Sequence, residues 1–216
     1  MVRLWPHGRL RLIAALAASC ALSLALLAAR LVYSGRSTYS FLAWNLALAA
    51  IPLLLALGAE PLARRRRAFL PPVVVLWLVF LPNAPYLVTD FVHLRPDPPV
   101  PLWFDVLLFA AFAWAGLLLG FVSLHLLRRL AGEWLGGAAT WTLTVLVLAA
   151  SSLAIYLGRF AEWNSWDLFV RPGAVVHAIV APPSPAQLGG VLAGFTVFLV
   201  VAYAIVEALI GSDRER

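Results

Sequence analysis

The chain alternates long apolar runs with short polar or arginine-rich segments, which is typical of a protein that crosses a membrane several times. A lipid core about 30 Å thick is spanned by about 20 helical residues that rise 1.5 Å each. Six runs reach this size, at residues 12–29, 38–58, 69–88, 102–127, 137–158 and 188–211. The pattern predicts an all-α integral membrane protein with about six transmembrane helices, in a single membrane domain over residues 1–216.

The composition agrees with this class of protein. Hydrophobic residues make up 63% of the chain and charged residues only 12%, about half the charged share of a soluble domain. All 16 basic residues are arginines, and they cluster between the apolar runs. A basic charge distributed in this way reports membrane topology. We therefore expect membrane lipids around the protein and no nucleic-acid partner.

The first apolar run raises an alternative, since it follows three arginines and could be a cleaved signal peptide. Its uninterrupted apolar stretch from Leu12 to Ala29 is longer than the usual apolar core of such a peptide. The length favours a retained first helix. Cleavage would leave the arrangement of the other helices unchanged.

The arginines predict the orientation of the chain, because loops on the cytoplasmic side carry the excess of positive charge. One set of alternate loops and termini holds eleven arginines: Arg3, Arg9, Arg11, Arg64, Arg65, Arg66, Arg67, Arg128, Arg129, Arg214 and Arg216. The other set holds five: Arg30, Arg36, Arg95, Arg159 and Arg171. Both termini are then cytoplasmic, and residues 81–97 and 158–186 share the outer face.

The stretch "LPNAPYLVTDFVHL", residues 81–94, interrupts the third apolar run with polar residues and prolines. Pro82 and Pro85 remove two backbone donors and disfavour helical geometry at Leu81 and Ala84. The third helix should therefore break or kink here, with the broken backbone covered by protein or by a water-filled cavity. Asn83 is well suited to bond the freed backbone groups.

If the helix resumes after the break, Tyr86, Asp90 and His93 follow one another at i, i+4 and i+7 on one face. This spacing allows a carboxylate to orient a histidine, and such a pair can act as a general acid and base or supply two metal ligands. The stretch contains no complete ligand set, so the sequence names no metal or cofactor. The alternative is a hydrogen-bonded cluster that caps the helix end.

A second polar stretch, "GRFAEWNSWDLFVRP" at residues 158–172, supplies further candidates on the same face. Arg159 and Glu162 are spaced to pair on a helical turn, as are Asn164 and Asp167. Its tryptophans are typical of an aromatic belt at the membrane surface. The candidate substrate-binding residues are therefore Asn83, Tyr86, Arg159, Glu162, Asn164 and Asp167, and we expect Asp105 to face the same cavity.

The remaining polar and small residues are interpreted structurally. An interhelical hydrogen bond is expected for Asn45, and His125 and Glu207 are expected to reach the cytoplasmic interface. The pairs Gly116 with Gly120 and Gly190 with Gly194 have the spacing that lets helices pack closely. Residues 174–180 are too short to span and predict an interfacial or re-entrant element.

The phrase at 81–94, together with "YLGRFAEWNSWDL" at 156–168, resembles the DUF1361 family of bacterial multi-pass membrane proteins. The similarity covers roughly residues 40–211. Because the function of that family is uncharacterised, the resemblance implies an inner-membrane protein of about six helices and supplies no reaction. The matching positions are Pro82, Asn83, Pro85, Tyr86, Thr89, Asp90, His93, Gly158, Arg159, Trp163, Asn164, Ser165, Trp166 and Asp167.

Three functions remain open on these residues. The first is an external site that binds or modifies a lipid-linked or envelope substrate, with Asp90 and His93 as catalytic candidates and Arg159 as an anion anchor. The second is a structural or accessory protein whose external clusters lock the helices together or dock a partner. The third is a small transporter, which also needs a polar path from the cytoplasmic side.

Overall fold

The computed structural model of the chain describes residues 6–163 and 170–212, and over these residues the fold is all-α. The helices are α1 (Pro6–Ser34), α2 (Phe41–Arg65), α3 (Leu70–Phe80), α4 (Asn83–Thr89), the long helix Leu102–Arg159, α6 (Pro172–Val180) and α7 (Pro185–Ser212). A 3-10 turn, Asp90–His93, continues α4. In the described part of the chain, extended pairing is limited to an isolated bridge between Asp97 and Val100. The predicted all-α membrane bundle is confirmed.

The long helix Leu102–Arg159 has 58 residues, or about 87 Å, far more than one membrane crossing requires. It turns back at Gly136, where φ is 73° and ψ is 170°, a conformation that glycine adopts without a steric penalty. We call its two arms α5a (102–135) and α5b (137–159). Leu117 and Leu148 share one apolar core, and the guanidinium of Arg128 lies 4.1 Å from the Trp141 ring. The arms therefore run antiparallel and correspond to the predicted fourth and fifth spans.

Five helical segments of the described residues are long and apolar enough to cross a membrane. They are Leu10–Ser34, Phe41–Arg64, Leu70–His93, Leu102–Arg159 and Pro185–Ile210. Since the fourth contains both arms of the hairpin, each of the six predicted apolar runs has a helical counterpart. The chain is a multi-pass membrane protein.

The predicted break in the third span is milder than the prolines suggested. Leu81 has φ −53° and ψ −40°, and Pro82 has φ −60° and ψ −23°, so the backbone stays in the right-handed helical region. The expected departure of Leu81 and Ala84 from helical geometry is wrong, because the Ala84 amide bonds the Leu81 carbonyl and tightens the turn. The predicted role of Asn83 is confirmed, since its amide donates to the freed carbonyl of Phe80 at 2.9 Å.

One of the two predicted glycine contacts is confirmed. A Cβ added at Gly116 would lie 2.6 Å from the Ala84 carbonyl oxygen, and one at Gly120 would lie 2.7 Å from the Ala84 Cβ. These glycines let α4 approach α5a closely. The packing predicted for Gly190 and Gly194 is wrong within the described residues, since no atom lies within 4 Å of a Cβ built there. Spacing alone does not say which face of α7 meets a neighbour.

Candidate functional site

Arg159, the last residue of α5b, lies at the centre of a polar network at one end of the bundle. Its Nε donates to the Thr89 hydroxyl at 3.0 Å, and its Nη1 contacts Nε2 of His93 at 2.6 Å. Its Nη2 donates to the carboxylate of Asp90. The guanidinium also lies 4.3 Å from the centre of the Tyr86 ring, which adds a cation–π contact. All three nitrogens of Arg159 are therefore engaged.

Asp90 is fully buried, at 0% exposure, and both of its oxygens are bonded. One oxygen accepts from Arg159, and the other accepts from the side-chain amide of Asn45 at 2.9 Å. Asn45 belongs to α2, so this carboxylate joins three separate spans. The expected interhelical hydrogen bond of Asn45 is thus confirmed. Its place in this network was missed, because nothing in the pattern relates residue 45 to residue 90.

His93 reaches Asp90 only through Arg159. A guanidinium has donors and no acceptor, so Nε2 of His93 must accept the bond, and the neutral ring then carries its hydrogen on Nδ1. The ring packs edge-on against Phe41, with the ring centres 5.3 Å apart. His93 itself is exposed. The network therefore holds a solvent-facing histidine in one tautomer and one orientation.

An open groove of about 400 Å³ adjoins His93. Two chain segments form its walls, the connection between α1 and α2 and the 3-10 turn after α4. The lining residues are Ser37, Thr38, Tyr39, Phe41, Val92, His93, Leu94 and Arg95. The Tyr39 hydroxyl donates to the backbone carbonyl of Arg95 at 3.1 Å and so ties the two walls together. The groove is the opening through which a ligand can reach the network.

Another arginine, Arg30, is buried beside the groove. Arg30 is 1% exposed, and its Nε donates to Asp105 at 2.7 Å. Its Nη2 bonds Asp97 at 2.9 Å, and its guanidinium lies 4.2 Å from the Tyr39 ring. The expectation that Asp105 faces the cavity with Asp90 is wrong. Asp105 instead accepts a hydrogen bond from Arg30 of α1.

Asp97 lies between the spans and links this second cluster to the surface. Hydrogen bonds from Arg30, and then from Thr38 and Arg36, hold the pKa of Asp97 below its usual range. Arg36 is more than half exposed and contacts the carboxylate at 2.7 Å. The lowered pKa keeps Asp97 charged, so the cluster stays closed by opposite charges.

The structure thus brings together Tyr86, Asp90, His93 and Arg159 from the candidate set. Asn83 lies outside this network and bonds the α3 backbone. Glu162 is exposed, and its φ of 57° is unusual for a residue with a side chain. Asn164 and Asp167 lie outside the described residues.

A separate polar cluster lies at the opposite end of the bundle. Glu207 of α7 contacts Nδ1 of His125 at 2.5 Å and Nη1 of Arg128 at 2.6 Å, and it accepts from the Tyr203 hydroxyl at 3.1 Å. His125 and Glu207 were expected to reach the cytoplasmic interface, and their pairing was missed. Apolar residues fill the space between the two ends, including Leu81, Leu117 and Leu124. Ser151 and Ser152 of α5b are also buried here, and their hydroxyls donate to backbone carbonyls of their own helix.

The described residues contain no group of three or more His, Cys, Asp or Glu side chains that could hold a metal ion. A family model described as "Protein of unknown function (DUF1361)" matches residues 44–202, which is most of the chain. No curated protein and no solved structure matches the chain.

Proposed function

We propose that this chain, which belongs to the DUF1361 family of proteins of unknown function, binds an anionic group of a lipid-linked or envelope substrate in the groove beside His93. One observation carries the proposal. The groove of about 400 Å³ opens where a buried ion network holds a solvent-facing histidine in a defined orientation. A cluster needed only to lock helix ends would not require an open groove at its exposed histidine.

The bonding pattern divides the residues into contact and positioning roles. His93 and Arg95 line the groove and are the groups proposed to touch the substrate. Arg159 was the expected anion anchor, but its three nitrogens already bond protein atoms, so it positions His93 instead. Asp90 is 0% exposed, so solvent does not reach its carboxylate for proton exchange. The proposal is therefore confined to binding, and catalysis by Asp90 and His93 stays a prediction.

The location we propose is the bacterial inner membrane, with both termini in the cytoplasm and the groove on the outer face. The arginine count supports this orientation. So does the grouping of Arg30, Arg36, Arg95 and Arg159 around the groove, because these belong to the smaller set. Thiol labelling in intact cells tests it in a Cys20→Ser background. Ser37→Cys should react with an impermeant maleimide and Arg64→Cys should not, and the reverse result would refute this orientation.

Binding is tested by blocking the groove without touching the ion network. Ser37 is exposed and lines the groove, so Ser37→Trp should fill it while leaving the packed core unchanged. Ser40→Trp, at a nearby exposed position outside the groove lining, is the matched control. Native mass spectrometry of the purified protein should detect a co-purified anionic lipid in the wild type and the control but not in Ser37→Trp. Equal occupancy in all three proteins would refute the proposal.

The accessory function remains the second candidate, because the Arg159 network joins α2, α4 and α5b at one point. If that is its only role, Ser37→Trp should leave every cellular phenotype unchanged, while Arg159→Ala lowers the amount of folded protein in the membrane. The transporter gains no support from the described residues, since the buried hydroxyls between the two polar clusters, such as those of Ser151 and Ser152, bond backbone carbonyls of their own helix.

A further inference from the structure

We propose that the group recognised in the groove is a phosphate carried on a lipid, an inference that rests on the proposed binding function. It follows from the donors that line the groove, from its apolar lining residues and from Arg95, which has no carboxylate partner among the described residues.

The polar lining consists of hydrogen-bond donors. Arg95 can only donate, and His93 has its remaining ring hydrogen on Nδ1 because Nε2 accepts from Arg159. Ser37 adds a hydroxyl, and none of the described lining residues is a carboxylate. A phosphate offers more acceptor oxygens to such a wall than a carboxylate does, and it accepts paired bonds from a guanidinium.

Arg95 supplies the uncompensated positive charge. Arg36 is paired with Asp97, and Arg159 is paired with Asp90. Arg95 has no carboxylate within salt-bridge distance in the described part of the chain, although its backbone is held by Tyr39. The groove therefore places a guanidinium with no carboxylate partner, as far as the structure describes the chain, beside two arginines whose charges are already balanced.

Each wall of the groove also contributes an apolar side chain, and the groove lies where two spans end. Phe41 begins the second membrane segment and His93 ends the third, so the groove lies at the level expected of lipid headgroups. Val92 is 66% exposed and Phe41 is 36% exposed, and both line the groove. These apolar side chains suit the alkyl portion of a lipid. A free inorganic anion would make no contact with them.

The test compares three probes on the purified full-length protein in a maltoside detergent, with binding measured by calorimetry. Dihexanoyl phosphatidylglycerol carries the phosphate on a short lipid, inorganic phosphate lacks the lipid, and N-hexanoylglycine replaces the phosphate with a carboxylate. The phosphatidylglycerol should bind most tightly. Its affinity should fall about tenfold or more in Arg95→Gln and in His93→Phe, since each removes a donor to a charged group.

Arg11→Gln is the matched control, because it removes one exposed arginine charge outside the groove and should leave affinity unchanged. Thermal melting confirms that each variant is folded, and Ser37→Trp provides an independent block of the groove if Arg95→Gln does not fold. Equal binding of N-hexanoylglycine would overturn the phosphate assignment and leave anion binding intact. Binding of inorganic phosphate as tight as that of the lipid would overturn the lipid part. No binding of any probe would overturn both this inference and the proposed function.

Discussion

Two arginines at the same end of the bundle, Arg30 and Arg159, have the same kinds of first contacts. Arg30 lies 4.2 Å from the centre of the Tyr39 ring, and Arg159 lies 4.3 Å from that of the Tyr86 ring. Each pairs with an aspartate that is 0% exposed, Asp105 and Asp90 respectively. A charge inside a membrane segment is costly unless it is paired in this way.

The difference lies in the next partner. Arg30 binds a second carboxylate, Asp97, which in turn binds Arg36, so two positive and two negative charges close the cluster. Arg159 binds a neutral imidazole instead, and His93 leads to the groove. The comparison teaches that an arginine–aspartate pair of this kind can link helices within a fully paired ion cluster, or it can position a residue that lines an open groove.

The largest effect is expected at the closed cluster. Asp105→Ala should lower the free energy of unfolding by about 3–5 kcal/mol, because it leaves a buried arginine short of its main partner. Thermal or denaturant unfolding in detergent measures the loss. Arg36→Gln, at an exposed ion pair, is the control and should cost less than about 1 kcal/mol. If the two variants are equally stable, the Arg30 cluster does not stabilise the packing of the helices, contrary to what its burial indicates.

Removal of the matching aspartate from the Arg159 network should lower the free energy of unfolding by less. We expect Asp90→Ala to cost about 3 kcal/mol, at the lower end for a broken buried pair, because Arg159 is 10% exposed and retains Thr89 and His93. It should also weaken binding of the short phosphatidylglycerol, since Arg159, which orients His93, loses its carboxylate partner. Arg159→Met combined with Asp90→Leu should recover part of the stability but not the binding. Recovery of both would make the network purely structural.

A substitution of His93 distinguishes the Arg159 network from the Arg30 cluster most clearly, because we expect it to weaken ligand binding and hardly to change the free energy of unfolding. As an exposed residue, His93→Gln should change the free energy of unfolding by no more than about 0.5 kcal/mol. Affinity for the lipid probe should fall about tenfold, since the Nδ1 donor is lost. His177→Gln, at an exposed histidine on α6, should change neither quantity. A stability loss at His93 comparable to that at Asp90 would contradict the open-site interpretation.

The smallest effect is a dependence of stability on pH at Asp97. Since the folded state lowers the pKa of Asp97, its contribution is fully present above the ordinary value of about 3.9 and is lost as pH falls through the lower folded value. The difference in melting temperature between the wild type and Asp97→Asn should therefore become smaller as pH is lowered below about 4. A constant difference over that range would show that the charge of Asp97 does not contribute.

Local rules gave much of the candidate site in advance. Helical spacing placed Tyr86, Asp90 and His93 on one face, and all three contact Arg159 in the structure. The same rules failed where two elements must meet. Leu81 at the proline turn kept helical φ and ψ, and a Cβ built at Gly190 or Gly194 would meet no described atom within 4 Å. Conformational propensity is a property of one segment, whereas packing depends on the side chains of the second segment that contacts it.

The sequence by itself determined the class of protein, the six apolar segments and the residues able to carry charge at their ends, because hydropathy and helical period are local properties. Only the tertiary structure decided which arginine meets which aspartate, as with Arg30 and Asp105, which lie 75 residues apart. It also decided that Asn45 completes the Asp90 network and that the groove opens at His93. The physical reason is that a buried charge needs a partner at hydrogen-bond distance, and helix packing chooses among partners that the sequence leaves equivalent.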